Sequence, residues 1–274
     1  MGDIVCWILD ELYFRIKNPS YNMENMTTTS GPGATVVSAF MININYRADR
    51  SYDKYFSLAK QLLRIPINKI IFVDKSILGY FKDYINENTT IIPFEKHVNY
   101  LYEYIDKLDN FSLNTKNPEK DTIEYMFTMA YKTEFMRKAI EMNNYNASQF
   151  IWMDLGIKHM MDIPYEEFAN KVMRLQYLEY LQNVRIAAIW NPDSNFNVDL
   201  YKDVCWCFAG SIFGGNIPSL LEFADQVKTE CLHIINEKKT LMWEINVWKL
   251  IYNKDRWKFL FYYSSHDTSI LDNY

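Results

Sequence analysis

Apolar and polar residues fall in blocks along this chain, and the blocks predict strands and helices in turn. Thr35-Val36-Val37-Ser38-Ala39-Phe40 and Lys69-Ile70-Ile71-Phe72-Val73-Asp74 are short apolar runs rich in β-branched residues, the composition of strands buried on both faces. Between them, Tyr52 to Ile65 has helical spacing and stops at Pro66, because proline cannot extend the backbone ladder. Strand, helix and strand in that order predict a βαβ unit with a parallel sheet. Lys75 to Asn86 fits a short helix and Thr89 to Pro93 a third strand, before a polar stretch that ends at Asn117-Pro118. From Asp121 the residues Ile123, Phe127, Ala130, Phe135 and Ile140 recur near helical spacing and predict one long helix over 121–142. It leads into Phe150-Ile151-Trp152-Met153-Asp154-Leu155-Gly156, which reads as a buried strand delivering one carboxylate to its end.

Further on, the pattern predicts a helix over 165–183, a strand over 184–190 stopped by Asn191-Pro192, and a strand over 204–213 closed by Gly214-Gly215. Helices over 218–237 and 241–252 and a strand over 257–263 complete the series. Residues 4–17 read as a short amphipathic helix and 18–33 as a loop rich in Asn, Ser, Thr, Gly and Pro. The expected organisation is therefore an N-terminal helix and loop over 1–33 and one α/β domain over 34–274, its central sheet mostly parallel. Ligands of such sheets bind outside the carboxyl ends of the strands, which gives the end of the 150–154 strand its interest.

Composition narrows the picture. A formal net charge of −5 on 274 residues, with the basic residues scattered, provides no electrostatic footprint for nucleic acid. The aromatic content of 16%, with 21 Tyr and 7 Trp, suits a carbohydrate-facing surface, but with the rich Asn, Ile, Lys and Tyr usage it is better accounted for by the codon usage of an AT-rich genome, bacterial or that of a large DNA virus. Cys6, Cys205, Cys207 and Cys231 show neither a CxxC pair nor a disulfide framework, so a reducing compartment is expected. No apolar run reaches the roughly 18–20 residues of a membrane span, and no secretory signal is seen. A soluble cytoplasmic protein is expected. Met1-Gly2-Asp3-Ile4-Val5-Cys6 departs from the myristoylation pattern at its sixth residue.

The chemistry-bearing residues each have two readings. Asp154 suits a ribose hydroxyl or a divalent cation at a diphosphate, or is a turn residue before Gly156. The glycines of Ala209-Gly210-Ser211-Ile212-Phe213-Gly214-Gly215-Asn216 let a backbone approach a sugar closely, or simply turn the chain. Glu244, between Trp243 and Trp248, suits a nucleophile, base or electrostatic stabiliser, or is a solvated helix residue. Lys132 and Arg137 are positioned for a diphosphate or are surface cations. His266 and Asp267 complete a metal site with Asp154 for Mn²⁺ or a similar ion, or belong to a flexible C-terminal tail. Cys205 and Cys207 are expected on one face of a strand.

Taken together, the 35–40 run followed by Arg47 and Arg50, Ile71-Phe72-Val73-Asp74, Phe150 to Gly156 and Gly210 to Gly215 resemble the HtrL/YibB family, whose members are associated with lipopolysaccharide and related glycan synthesis. The resemblance spans about 34–264. It implies a GT-A type, Rossmann-like glycosyltransferase fold, a nucleotide-sugar donor with UDP-sugars favoured, and a glycan acceptor. The C-terminal half is also similar to the α1,3-galactosyltransferase and blood-group transferase family: Ile212-Phe213-Gly214-Gly215 and Trp243-Glu244 match in order, while the His-Asp pair of that family's motif is absent. That resemblance implies Glu244 at the reacting carbon. On this reading residues 34–156 form the nucleotide-sugar half, with Phe40, Asp74, Lys132, Asp154 and Gly156 on the donor. Residues 157–274 form the acceptor half, with Gly214, Gly215 and Trp243 on the acceptor. A divalent metal, Mn²⁺ or Mg²⁺, would rest on Asp154 and His266, although the Asp-x-Asp pattern lacks its second carboxylate. The alternatives are an inactive relative that binds a glycan or a partner, and a nucleotidyltransferase, whose basic glycine-rich phosphate loop is not seen after the first strand.

Overall fold

The computed structural model describes residues 33–44, 51–106, 108–254 and 259–274. The expected helix over 4–17, the loop up to residue 32, and Arg47 and Arg50 lie outside the described residues. Seven strands form one sheet: β1 (Thr35–Phe40), β2 (Lys69–Asp74), β3 (Thr89–Phe94), β4 (Gln149–Met153), β5 (Val184–Ala188), β6 (Phe208–Asn216) and β7 (Phe259–Tyr263). Their order is β3-β2-β1-β4-β6-β5-β7. β3, β2, β1 and β4 are parallel, β5 and β7 are parallel, and β6 runs against both β4 and β5. The sheet is thus mostly parallel, and the end of β4 meets the beginning of β6.

Alternation along the central strands sends side chains to two cores. Val37, Ile70, Phe72, Phe150 and Trp152 pack with α3 (Ile123–Ala130), α4 (Lys132–Met142), α6 (Ile217–Lys238) and α7 (Glu244–Lys254). Val36, Ile71, Val73, Ile151 and Met153 pack with α1 (Tyr52–Leu63), α5 (Tyr165–Arg174) and α8 (Ser269–Asp272). The helices therefore cover the sheet on both faces, and each buried Val, Ile or Phe contributes about 1.5–3 kcal/mol. Only then can strands this uniformly apolar lie in the middle of the molecule.

Several expected elements change. The long helix over 121–142 is two helices, broken at Tyr131, whose backbone ends α3 and opens α4. Thr122 caps α3 through its hydroxyl, which accepts from Tyr125 N at 3.1 Å. The 75–84 segment is 3₁₀ rather than α, started by Asp74, whose carboxylate accepts from Ser76 N at 3.0 Å. A short helix, α2 (Tyr100–Ile105), interrupts the polar stretch. The helix from 165 ends at Arg174 and is followed by a single 3₁₀ turn over 175–177.

Two differences bear on function. The strand expected over 204–213 is β6 at 208–216, so Gly214 and Gly215 lie inside it. A Cβ on Gly214 would stand 2.4 Å from Tyr274 Oη and 2.6 Å from the Phe150 carbonyl oxygen. Close approach, not a turn, requires that glycine. The C-terminal segment is docked rather than flexible: Ile270, Leu271 and Tyr274 are buried. Arg185 donates to the Asn273 carbonyl at 2.7 Å and lies over the rings of Tyr262 and Tyr274.

Candidate active site

The helix break at Tyr131 makes Lys132 the first residue of α4 and buries it; its side chain is 2% exposed. Its ammonium is 3.0 Å from Asp154 Oδ1 and 3.0 Å from Glu244 Oε1, and it donates to the Gly210 carbonyl at 2.8 Å. An ammonium has three N–H donors, and here all three are used. Asp154 follows β4 directly, and its amide extends the ladder to β6 by donating to Ser211 O at 2.8 Å. Glu244 opens α7, where the helix dipole favours a carboxylate. Gly210 lies near the start of β6, and a Cβ there would be 2.3 Å from Glu244 Oε1. Residues 112 positions apart in the chain therefore meet at the carboxyl edge of the parallel strands.

Burial opposes the charge of Lys132, but Asp154 and Glu244 outweigh it and hold the pKa above its ordinary value. One ammonium between two carboxylates leaves one net negative charge. The Trp152 indole N–H donates to Asp154 Oδ1 at 2.8 Å, and the Lys132 ammonium lies 5.7 Å from the Trp152 ring centre. Asp154 Oδ1 is thereby shared by two donors. The Asp154 side chain is 39% exposed, whereas that of Glu244 is only 8% exposed.

Around this trio lie residues the sequence pattern did not single out. Asp121, just before α3, accepts from Trp243 Nε1 at 3.2 Å and from Thr115 Oγ1 at 2.6 Å, and the Lys120 ammonium is 3.8 Å from its Oδ1. Lys120 also lies 5.4 Å from the Tyr125 ring centre. Burial, then Glu244, Asp154 and Asp121, push the Tyr125 phenol well above its usual range, so it stays protonated and able to donate. No motif marks Asp121 or Tyr125; only the docking of α3 over the strand ends brings them here.

The other expected site residues fare differently. Phe40 is buried in an aromatic cluster with Tyr52, Phe56 and Phe81, which occupies the ring expected on the donor; Tyr80, 60% exposed, is that cluster's outward ring. Asp74 lies at the end of β2 as the cap already described. Gly156 has ordinary clearance, its Cβ position 3.8 Å from Leu58. Gly214 and Gly215 are about 13 Å or more along β6 from Gly210, where the Cβ of residue 215 would press on Ser219 Oγ at 3.0 Å. They serve packing and not an acceptor. Trp243 is buried and tied to Asp121, so it offers no face to a sugar. Arg137 pairs with Glu134 and Asp225, joining α4 to α6. Lys132 itself has no N–H left for a diphosphate.

The residues expected to hold a divalent cation are engaged with protein partners. His266 packs edge-on against Trp206 with ring centres 5.0 Å apart, and burial, with His159 nearby, lowers its pKa. Asp267 accepts from Ser269 N at 2.8 Å. Among the described residues no three His, Cys, Asp or Glu side chains converge on one point. Asp154 and His266 therefore gain no third ligand, and one Asp154 oxygen is already held by Lys132 and Trp152.

The HtrL_YibB family, described as a bacterial protein of unknown function, matches residues 34–254. The chain belongs to this family. The HtrL_YibB match takes in Lys132, Asp154, Gly210 and Glu244, so the whole trio lies within it. No curated protein matches the sequence. Among solved structures, the chain is similar to Rv0371c of Mycobacterium tuberculosis H37Rv in complex with manganese, at 9% identity over 87% of this chain and 90% of that one, TM-score 0.41. It is similar to a glycosyltransferase involved in glycosylation of the major capsid of PBCV-1, at 11% identity over 84% and 82%, TM-score 0.41. A third likeness is to 4-diphosphocytidyl-2C-methyl-D-erythritol synthase of Anaerococcus prevotii, at 10% identity over 85% and 86%, TM-score 0.37. All three are distant and too weak to carry an argument about substrate or mechanism. No helix among the described residues is long and apolar enough to cross a membrane.

Proposed function

We propose that this HtrL_YibB member is a GT-A type glycosyltransferase that moves a sugar from a nucleotide-sugar donor, a UDP-sugar by preference, to a glycan acceptor. The observation that carries the proposal is the buried Lys132 ammonium holding Asp154 and Glu244 together at the carboxyl edge of the parallel strands. Donor binding falls to the half that precedes Gly156, and the acceptor approaches over the half that follows.

As the bond from the anomeric carbon to the diphosphate oxygen lengthens, positive charge grows on the sugar and negative charge on the leaving group. A fixed cluster with one net negative charge stabilises the sugar, and it does so without reorganising during the reaction. Glu244 is the catalytic carboxylate beneath that carbon. Lys132 is a positioning residue that holds both carboxylates in place. The Asp154 oxygen not held by Lys132 and Trp152 accepts a donor hydroxyl, and the Tyr125 phenol donates to the substrate. Lys120, 26% exposed beside Asp121, faces the departing diphosphate in the role that Lys132 is too enclosed to fill. Tyr80 is the ring available to the base. No step is assigned to a metal ion.

Thermal shifts with UDP-, GDP-, dTDP- and CMP-sugars, each with and without Mn²⁺, test the donor site. A donor at about 100 times its Kd stabilises the fold by roughly 2.7 kcal/mol, several degrees for a domain of this size. One nucleotide class should shift the melting curve, and Glu244→Gln should keep that shift while losing donor hydrolysis and transfer. A flat response across the panel overturns the proposal. A shift without hydrolysis or transfer in the unmodified protein points instead to a relative that only binds.

A further inference from the structure

Cys205 and Cys207 take no part in the cluster around Lys132, yet their sulfurs stand 3.3 Å apart in a buried position just ahead of β6. The two cysteines flank a turn rather than lie on a strand as expected, with Trp190 N donating to Trp206 O at 3.0 Å and Ile189 N to Cys207 O at 2.9 Å. The turn brings both thiols together on its buried side and leaves Trp206 between them 37% exposed. Cys205 also lines a cavity of about 290 Å³ with polar walls from Asp193, Asn195, Lys249 and Asn253. The Lys249 ammonium donates to Pro192 O at 2.6 Å and to Asn253 Oδ1 at 2.7 Å, fixing a positive charge at that wall.

We propose that Cys205 and Cys207 form a reactive dithiol that a hydroperoxide entering this cavity converts to an intramolecular disulfide. The Cys205 thiolate attacks the peroxide oxygen, the O–O bond breaks, and an alkoxide leaves that takes up the proton released when Cys205 ionised. The Cys207 thiol then attacks the sulfur of the resulting sulfenic acid and expels water. Two thiols and one hydroperoxide thus give one disulfide, one alcohol and one water. The sulfurs need only close from 3.3 Å to about 2.05 Å. A hydrogen bond from Cys207 lowers the Cys205 thiol to about 7 against the effect of burial, and Lys249 acts in the same direction. Cys207 is pushed up by that same bond and by burial, which suits the second, resolving role. Asn246 ties the segment to α7: its Oδ1 accepts from Cys205 N at 2.8 Å, and its Nδ2 donates to Leu200 O and Asp203 O. Closure therefore draws on the helical turn that begins at Glu244.

The test is peptide mapping of the full chain, first reduced and then exposed to tert-butyl hydroperoxide, with free thiols alkylated under denaturing, non-reducing conditions. The peptide carrying Cys205 and Cys207 should lose two hydrogens and resist alkylation, and dithiothreitol should restore both thiols. Cys207→Ser should stop at a Cys205 sulfenic acid that dimedone captures. Two alkylatable thiols after exposure, advance of Cys205 to sulfinic acid without a cross-link, or pairing with Cys231 instead overturns the proposal. Mapping of the unmodified chain decides it even if the serine variant fails to fold, and the readout does not depend on glycosyl transfer.

Discussion

Replacing Lys132 by methionine removes the ammonium but keeps an unbranched side chain, leaving the carboxylates of Asp154 and Glu244 beside an apolar tip. At an effective dielectric of about 20, each 3.0 Å contact is worth about 5.5 kcal/mol before desolvation. Burial of the three groups takes back most of that gross attraction, and the net worth of such clusters is small. The variant loses something else, the compensation of charges left behind, which costs about 3–5 kcal/mol for a buried partner. Asp154, 39% exposed, can turn to water, whereas Glu244 at 8% has little outlet, so the lower end of that range, about 3 kcal/mol, is expected. For a chain of this size that is at least about 6 °C in Tm, read by scanning calorimetry near neutral pH. The double variant Lys132→Met, Glu244→Leu should regain most of the loss, because replacing a whole buried pair by apolar groups is close to neutral. A single variant melting within about 2 °C of the parent, or a double variant no better than the single one, would refute the view that Lys132 compensates Glu244.

Three further outcomes are expected. Gly210→Ala places a Cβ 2.3 Å from Glu244 Oε1, so it should cost about 1–3 kcal/mol in urea unfolding and displace the Glu244 carboxylate, while Gly156→Ala, with its nearest neighbour at 3.8 Å, should stay within about 0.5 kcal/mol. Burial lowers Lys69 to about 8 from 10.5; between those values the unfolded chain binds a proton that the folded chain has released, so stability rises with pH by roughly 3 kcal/mol across the window. Urea titrations at about pH 7.5 and about pH 9.5 should show that rise in the parent and not in Lys69→Met. Tyr274→Ala empties the site beside Gly214 and should cost about 3 kcal/mol, with the C-terminal segment becoming open to limited proteolysis; a variant as stable and protease-resistant as the parent would restore the flexible-tail reading.

The strands were the most legible part of the chain because both of their faces are buried. β1 and β2 begin and end where their apolar runs do, and no competing element can be written with that composition. Where glycine punctuates the pattern, legibility fails: Gly214 and Gly215 read as a turn, yet they lie inside β6 because Tyr274 and Phe150 press on the backbone there. The break at Tyr131 was equally hidden, since the apolar spacing of α3 runs on into α4. A tryptophan beside Glu244 reads as a sugar platform, and only the Asp121 bond explains why Trp243 is turned inward.

Sequence reveals what a side chain can do, and the fold decides how much of that capacity is already spent. Lys132 was legible as a cation near the end of β4, and the natural inference was a diphosphate ligand. Its three donors are consumed by Asp154, Glu244 and the Gly210 carbonyl, so the same charge becomes a strut that fixes two anions. Asp154 and Glu244 are altered by the same contact, each giving one oxygen to the strut. In the proposed glycosyl transfer, a trio with one net negative charge serves the cationic half, and the anionic half falls to another residue. Lys120, unremarkable in the sequence, is the residue proposed for it because of its exposure: it lies beside Asp121 and Tyr125 and still has a face turned to solvent.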